Sequence, residues 1–255
     1  MRDNAHPHQL KREGATVSEK NTAMVVSAHS ADFVWRAGGA IALYAERGWD
    51  ITVVCLSFGE RGESAKLWRE PGMTIEKVKS IRKEEATRAA EILGAEPIFV
   101  DVGDYPMRVN DATLVELAAL FRKIRPEFVL THSLNDPYNF DHPLASHLTQ
   151  EARIVAQAHG HEPGIPVIGA PPVFLFEPHQ PEQCEWRPQV LLDITSVWAK
   201  KYAAFQEMKA QEHLWHYYER VALQRGVQAS RNSNKNVKYA EAYQRVFPQV
   251  TEELQ

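Results

Sequence analysis

The chain has 255 residues, and its content of 44% hydrophobic and 24% charged residues is that of an ordinary globular domain. A formal net charge of −4 argues against a general affinity for nucleic acid or anionic membranes. No apolar stretch reaches the ~18 residues of a membrane span, and the polar N-terminus lacks a signal-peptide pattern. We therefore expect a cytoplasmic protein without a nucleic-acid or membrane partner.

The two cysteines, Cys55 and Cys184, are far apart in the chain. Cys55 lies in the apolar run 51–56, which predicts a buried free thiol and no disulfide framework. Unpaired thiols are typical of a reducing cytoplasm. The polar residues 1–21 are interpreted as a flexible arm and residues 22–255 as one domain.

Short apolar runs alternate with longer amphipathic segments in the first half of the chain. The runs predict strands at residues 23–28, 51–56, 97–102 and 128–131. The amphipathic segments predict helices at residues 32–47, 75–93 and 111–124, with Gly94 as the C-cap of the second. This alternation predicts an α/β fold: a Rossmann-like, mostly parallel sheet with helices on both faces.

The C-terminal part has a weaker pattern. Strands are predicted at residues 172–176 and 190–194, and a helical region at 196–225 with a break near Glu212. Residues 230–236 are polar and predict a loop. We interpret the region after residue 196 as a helical extension of the same domain.

Three polar loops, at residues 29–32, 57–64 and 132–142, follow predicted strands. Ligands of open α/β sheets bind beyond the carboxyl ends of the strands. His29 and Asp32, three positions apart at a strand-to-helix corner, can turn towards one cation. The alternative is structural, with Asp32 as an N-cap and His29 as a satisfied corner residue.

The loop 132–142 contains further potential ligands, including Asp141 and His142. A third ligand from this loop would complete a three-ligand site with an open position, as in catalytic zinc centres. Asp141 could then orient a ligand histidine. The alternative is a solvated loop with ordinary turns, and His147 is predicted to be structural or exposed.

At residues 23–64 and 128–148 the chain resembles the PIG-L/LmbE-type zinc proteins, which are mostly N-acetylglucosaminyl deacetylases. Their A-H-P-D-D motif corresponds to Ala28-His29-Ser30-Ala31-Asp32, and their H-P-D-H motif to Asn139-Phe140-Asp141-His142. Their T-x-G-E-x-G loop corresponds to residues 57–62. The resemblance covers roughly residues 23–180 and implies Zn²⁺ on His29, Asp32 and His142.

Two departures change the activity that the resemblance implies. Ala31 stands where the family has its general base, and Asn139 stands where it has a proton-donating or oxyanion-stabilising histidine. Amide hydrolysis needs both kinds of group. One branch, the 4-oxalomesaconate hydratases, resembles the strings at residues 28–44 and 57–68 and the segment around His179. That resemblance implies addition of water to an unsaturated tricarboxylate, giving 4-carboxy-4-hydroxy-2-oxoadipate.

Hydration needs a Lewis acid, groups that transfer protons, and cations that bind carboxylates. The candidates for proton transfer are Glu63, Glu60 and His179, with Glu63 preferred over Glu60. The candidates for substrate binding are Arg36, Arg61 and Asn139. The alternatives are an exposed loop position for His179 and surface ion pairs for the arginines.

Two other functions stay open at this point. One is a zinc-dependent deacetylase with a relocated base, and the other is a non-catalytic metal-binding regulator. A ligand set of two histidines and a carboxylate also accepts manganese or iron. We expect a homo-oligomer, since a neighbouring subunit could supply a further arginine.

Overall fold

A seven-stranded sheet forms the centre of the computed structural model, which describes residues 20–251. Its strands are β1 (Thr22–Ser27), β2 (Asp50–Cys55), β3 (Ala95–Phe99), β4 (Phe128–Thr131), β5 (Val173–Phe176), β6 (Val190–Asp193) and β7 (Ala240–Arg245). The helices are α1 (Asp32–Glu46), α2 (Ala65–Trp68), α3 (Ile75–Leu93), α4 (Asp111–Ile124), α5 (Asp141–Gln157), α6 (Trp198–Glu207) and α7 (Trp215–Arg231). Short 3-10 helices occupy Pro181–Cys184, Thr195–Val197 and Lys209–Leu214.

The strand order is β3-β2-β1-β4-β5-β7-β6. Strands β1 to β5 are parallel, and β7 runs antiparallel to its neighbours β5 and β6. The chain builds outwards from β1 to one side through β2 and β3, then to the other side from β4. The carboxyl ends of β1 and β4 therefore flank the crevice at which such sheets bind ligands.

Apolar side chains fill both faces of the sheet. Along β1, Ala23 and Val25 face the core under α1, α3, α6 and α7, while Met24 and Val26 face the core under α4 and α5. This alternation is the two-residue period of a strand that is buried on both faces. The predicted mostly parallel α/β fold with helices on both faces is confirmed.

Local signals set the helix ends that matched the prediction. The Thr74 side chain accepts a hydrogen bond from the Lys77 N–H at the start of α3, and Gly94 ends that helix with a φ of 83°. Asn110 caps α4 in the same way, through the N–H of Thr113. Helices α3 and α4 have the predicted bounds.

Three differences from the prediction stand out, two of them in the C-terminal part and one in the first half of the chain. Strand β7 was not predicted, because its Glu241 interrupts the apolar pattern; this carboxylate is buried against Lys201 at 2.5 Å. The helical region divides into α6, the Lys209–Leu214 turn and α7, so the break near Glu212 was predicted but its extent was not. Strand β3 lies at Ala95–Phe99, earlier than predicted.

Gly39 on α1 shows how closely these elements pack. A Cβ there would lie 2.7 Å from Ile194 and 2.9 Å from the Glu241 carboxylate. The absence of a side chain lets the Gly39 N–H donate to Glu241 at 2.6 Å. Strand β7 is therefore joined to α1, the helix that begins with Asp32.

Residues 1–19 of the predicted arm lie outside the described residues. Within residues 20–251, none of the helices has the length and hydropathy needed to cross a bilayer. Cys55 and Cys184 are both buried and free, as predicted for Cys55.

Candidate metal centre

Two imidazoles and two carboxylates meet at the carboxyl edge of the sheet. One ligand atom from each of His29, Asp32, Glu63 and His142 lies within 4.8 Å of the other three. His29 follows β1, Glu63 follows β2, and His142 lies in the first turn of α5 after β4. The topology thus brings together residues from three loops that were predicted to converge.

The corner between β1 and α1 orients His29 towards the carboxylates. The His29 backbone N–H donates to Asp32 Oδ2 at 2.9 Å, which closes the turn. His29 Nδ1 lies 3.1 Å from Asp32 Oδ2 and 3.1 Å from Glu63 Oε1. Burial raises the pKa of Asp32, but the neighbouring histidines, His142 first and then His132, lower it by more. The pKa of Asp32 therefore lies well below its ordinary value.

Asp141 accepts a hydrogen bond on the other side of the same ring. Its Oδ2 lies 3.2 Å from His29 Nε2, and its oxygens also accept the N–H groups of Tyr105 and Met107. Burial raises the pKa of Asp141, but these hydrogen bonds outweigh burial and lower it to about 2. An ionised Asp141 keeps a proton on Nε2. Burial lowers the pKa of His29, but Glu63, Asp141 and Asp32 outweigh burial and raise it well above its ordinary value, so Nδ1 would present a lone pair once a metal ion replaces its proton.

His142 is oriented by a second carboxylate. Its Nδ1 lies 2.8 Å from Asp136 Oδ2, and its Nε2 lies 3.5 Å from Asp32 Oδ1. This Nε2 is buried and has no hydrogen-bonding partner. A buried nitrogen without a partner that points at a carboxylate is the arrangement that a bound cation satisfies. The donor set therefore fits a divalent metal ion.

His132 lies beside this group but has a different environment. Its Nε2 accepts a hydrogen bond from the Ala28 N–H at 2.9 Å, and its ring stacks on His142 with centroids 4.2 Å apart. Burial and the neighbouring His142 lower the pKa of His132 to about 3. His132 is thus a neutral packing partner whose Nε2 is already occupied.

The loop after β2 is folded so that Glu63 faces the group. Asp104 accepts the N–H groups of Arg61 and Gly62 at 2.9 and 2.8 Å. The ring of Tyr105 packs where a Gly62 Cβ would be, so a side chain at this position would displace either that ring or the loop. Burial raises the pKa of Glu63, but His29 outweighs it and the net shift is downward.

A cavity of about 310 Å³ opens beside the ligand group. It is lined by Asp32, Trp35, Arg36, Glu63, Tyr105, Asp136, Tyr138, Asn139, His142, His179, Gln180, Gln211, Leu214 and Tyr218. Arg36 is the one arginine of this lining. Its Nε lies 3.4 Å from Asp32 Oδ1, and its Nη1 donates to the Glu177 carbonyl at 2.8 Å.

His179 lines the same cavity from the segment after β5. Its ring stacks on Tyr217 with centroids 4.1 Å apart, and the Tyr217 hydroxyl donates to the His179 carbonyl. Arg225 holds the adjacent Glu177 carboxylate through two hydrogen bonds. Burial and Arg36 lower the pKa of His179. The alternative of an exposed loop histidine does not describe this position.

Glu60 and Arg61 do not line the cavity. Glu60 is fully buried and accepts the Phe58 N–H, with Lys79 at 3.8 Å, and burial raises its pKa. The Arg61 side chain is half-exposed and donates to the Asp104 carbonyl at 3.2 Å. Both residues hold the loop in shape: Glu60 contacts Phe58, Lys79 and Trp68, and Arg61 contacts the Asp104 carbonyl.

Sequence reasoning missed several residues of the site. Asp136 orients His142, and Gln211 reaches Glu63 from the C-terminal half of the chain. The strand-end position of loop 132–142 was a signal for Asp136, whereas no sequence signal indicated Gln211. His147 is exposed on α5, in agreement with the prediction.

The comparisons with known proteins agree with this geometry. Residues 24–153 match the PIG-L family model, described as GlcNAc-PI de-N-acetylase. A 4-oxalmesaconate hydratase of Pseudomonas putida KT2440 is 66% identical over 254 residues, covering 98% of each chain. The crystal structure of GalB, the 4-carboxy-2-hydroxymuconate hydratase from Pseudomonas putida KT2440, shares 68% identity and a TM-score of 0.91, covering 92% of this chain and 100% of that chain.

A deacetylase is a more distant relative. The 1D-myo-inositol 2-acetamido-2-deoxy-alpha-D-glucopyranoside deacetylase of Corynebacterium efficiens is 30% identical over 149 residues, covering 51% of this chain and 48% of its own. The family match spans more than half of the chain and contains all four residues of the ligand group. The chain therefore belongs to the PIG-L family.

Proposed function

We propose that the chain is a metal-dependent hydratase that adds water to 4-oxalomesaconate or to its enol tautomer, 4-carboxy-2-hydroxymuconate. The observation that carries this proposal is the 66% identity to a 4-oxalmesaconate hydratase along nearly the whole of both chains. The product would be 4-carboxy-4-hydroxy-2-oxoadipate, an intermediate of aromatic acid degradation. The enzyme is a hydro-lyase.

The deacetylase alternative has less support. Ala31 is fully buried in the apolar core, so the position of the family's general base holds a methyl group. Asn139 donates to Glu63 Oε1 at 3.5 Å and accepts the Asp141 backbone N–H at 3.1 Å, so both ends of its amide have a hydrogen-bonding partner. Neither position has a group that transfers protons for amide hydrolysis.

We propose Zn²⁺ as the metal, held by His29, Asp32 and His142, with Glu63 within reach of the same ion. Imidazole nitrogen and carboxylate oxygen are common zinc ligands, and the carboxylate partners of both histidines fix the rings as in other histidine-ligated zinc sites. When bound, a divalent ion supplies the Lewis acidity that polarises a substrate oxygen.

Arg36 and Asn139 are the proposed substrate-binding residues of the cavity. A guanidinium can bind a carboxylate through two parallel hydrogen bonds, and Arg36 is buried, which strengthens such a contact. Burial lowers the pKa of Arg36, but its acidic surroundings raise it above its ordinary value, so it stays charged. We leave Arg61 out of this role because its side chain lies outside the cavity lining.

Glu63 and His179 are the proposed catalytic residues, with His179 transferring the proton and Glu63 orienting the reacting water. Hydration forms one C–O bond and one C–H bond while one O–H bond of water and the C=C π bond break, so one proton moves from water to carbon. The lowered pKa of His179 makes it neutral at pH 7, so its imidazole can take the proton from water. The resulting imidazolium, with its lowered pKa, is a strong donor to carbon. Glu63 lies at the junction of the cavity and the ligand group and holds the reacting water.

One assay tests the proposed function. The ultraviolet absorbance of the unsaturated tricarboxylate would be followed with wild-type protein, with and without a chelator. We expect a decay that the chelator abolishes and that is lost in His142→Ala but retained in the matched variant His147→Ala, whose side chain is exposed. An unchanged absorbance would refute the hydratase, and release of acetate from N-acetylglucosamine conjugates would support the deacetylase.

We also propose a cytoplasmic homo-oligomer. Both thiols are free, which suits a reducing compartment. The loop after β4 exposes Leu134, Tyr138 and Phe140, the last with 81% of its surface accessible. A loop that exposes several large apolar side chains is a candidate association surface. Light scattering on the purified protein tests the oligomer, and a monomeric mass would refute it.

A further inference from the structure

Arg82 on α3 is a fully buried cation outside the cavity lining. Its three donor groups each have a partner: Nε donates to the Phe58 carbonyl at 3.2 Å, Nη1 to Glu85 at 2.9 Å, and Nη2 to Gln211 Oε1 at 2.7 Å. Burying a charge is unfavourable unless it is paired and hydrogen-bonded, and Glu85 supplies the counter-charge. The guanidinium is therefore held in one orientation.

The turn at Lys209–Leu214 docks onto this ion pair through two consecutive residues. The Ala210 N–H donates to Glu85 Oε1 at 2.9 Å, and the Gln211 side chain accepts from Arg82. Gln211 leaves the helical region, with φ −125° and ψ 33°, which directs its side chain inwards. Only 6% of Gln211 is exposed, and it lines the cavity.

The contact with Arg82 determines which end of the Gln211 amide faces the ligand group. A guanidinium has donors and no acceptor, so Oε1 must face Arg82 and Nε2 must face away from it. Nε2 lies 3.5 Å from Glu63 Oε2. The other Glu63 oxygen, Oε1, lies 3.1 Å from His29 Nδ1. Arg82 thus determines that the Gln211 amide donates to Glu63, although Arg82 takes no part in that hydrogen bond.

We propose that Gln211 is a positioning residue for Glu63, and that Arg82 fixes its amide in the donating orientation. The amide holds Oε2 and thereby keeps Oε1 directed at His29 and the metal position. This proposal rests on the proposed function for the role of Glu63 in hydration, but its structural part concerns only the placement of a carboxylate in the ligand group.

The test is a double-mutant cycle on metal affinity. Zn²⁺ alone would be titrated against a chromophoric chelator in wild type, Gln211→Met, Glu63→Ala and the double variant. We expect Gln211→Met to weaken Zn²⁺ binding about 10-fold in the wild-type background, as for other partners of metal ligands. In the Glu63→Ala background, where the acceptor of the Gln211 amide is gone, the same change should alter affinity by less than about 2-fold.

Steady-state hydration supplies the second measurement. Gln211→Met should lower kcat about 10- to 100-fold while KM changes much less, because the substitution disturbs the placement of a reacting group. Glu212→Gln is the matched control, since its side chain is about half-exposed on the same turn and pairs with Lys66. It should leave kcat, KM and affinity unchanged.

Each outcome decides the proposal. Equal losses of affinity in both backgrounds would show a general structural effect and overturn it, as would unchanged affinity in the wild-type background. Should Gln211→Met fail to fold, Gln211→Glu keeps an oxygen for Arg82 and places a like charge at Glu63, so the same loss is expected. A wild-type protein that does not hydrate the substrate would refute the proposed function alone, because the Zn²⁺ affinities can be measured without turnover.

Discussion

Asp141 Oδ2 lies 3.2 Å from Nε2 of His29, although 112 positions separate the two residues. The carboxylate is ionised and accepts from Nε2, so Nδ1 is the ring nitrogen that a metal ion would take when it replaces the Nδ1 proton. The same carboxylate accepts the backbone N–H groups of Tyr105 and Met107. Asp141 thus orients His29 and also holds the backbone at Tyr105, whose side chain lines the cavity.

Replacing Asp141 by Asn should weaken metal binding. The amide can donate to His29 Nε2, which would favour the tautomer with the proton on Nδ1 and compete with the metal. We expect Zn²⁺ affinity to fall about 10- to 100-fold, measured by competition with a chromophoric chelator. Asp111→Asn, the same change at the exposed start of α4, should have no effect. Equal affinities for Asp141→Asn and wild type would contradict this role.

Restoring the family's acidic residue with Ala31→Asp should destabilise the protein. The Ala31 methyl is fully buried among apolar side chains, so the new carboxylate would lose its hydration without a partner. We expect the free energy of unfolding to fall by about 2–4 kcal/mol, measured by urea denaturation. Ala112→Asp, at an exposed position of α4, should change it by less than about 0.5 kcal/mol. A stable variant that releases acetate would refute this interpretation of the position.

Arg36→Met should affect substrate binding more than turnover. A hydrogen bond between two charged groups contributes about 1.5–3 kcal/mol, so KM should rise about 10- to 100-fold. Steady-state kinetics with the tricarboxylate measure this rise. Arg61→Met is the comparison, because the Arg61 side chain is half-exposed and outside the cavity lining. A larger rise in KM for Arg61→Met than for Arg36→Met would reverse the assignment.

The pH dependence of kcat/KM should report on His179. Burial and the charge of Arg36 lower its pKa below the ordinary 6.5, so the neutral imidazole persists into mildly acidic solution. We expect the acidic limb to have its midpoint below 6.5. Arg36→Met removes a positive charge and should raise the pKa, so the limb should move to higher pH. Profiles at saturating metal between about pH 5 and 8 measure this. An unmoved midpoint would count against His179.

Folding stability should respond to the same group with a defined sign. The unfolded chain binds a proton at position 179 near pH 6.5, whereas the folded chain does so only at lower pH. Stability therefore falls as pH decreases through this window. The loss should be smaller in His179→Gln, and denaturant unfolding at pH values on either side of the window tests this. Equal losses in the two proteins would exclude a contribution from His179.

Tyr217 should act through His179. Tyr217→Leu removes the stacked ring, and we expect kcat to fall about 10-fold or more because the imidazole loses its orientation. Tyr217→Phe keeps the ring and loses only the hydrogen bond to the His179 carbonyl, so the loss should be smaller. Steady-state kinetics of both variants measure the difference. A loss that is the same for Leu and Phe would show that stacking has no part in it.

The sequence predicted the elements whose signals are local. Helix α3 has an N-cap at Thr74 and a left-handed C-cap at Gly94, and both signals are visible in the residue types. Strand β7 has no such signal. Its Glu241 becomes compatible with burial only because Lys201, Tyr243 and the backbone of α1 supply hydrogen bonds. These partners come together only in the folded chain.

The candidate site also contains residues that a local pattern predicts and residues that depend on long-range contacts. His29, Asp32 and His142 follow strands that pack side by side, so their meeting was predictable from the alternation of strands and helices. Glu63 was predicted as a catalytic residue, and its proximity to His29 depends on the conformation that Asp104 and Gly62 give to the loop. Gln211 depends on a buried ion pair on another helix and a turn in the C-terminal half, a long-range arrangement without a local pattern.

The family match ends at residue 153, and its boundary divides the site into two portions. The ligand group lies before the boundary, whereas His179, Gln211 and Tyr217 lie after it. The ion-binding groups and part of the proposed proton-transfer groups therefore lie on different sides of the boundary, while Ala31 and Asn139 lie on the ion-binding side. Chimaeras that join residues before the boundary to the second portion of a deacetylase would retain a weakened metal site and lose hydration.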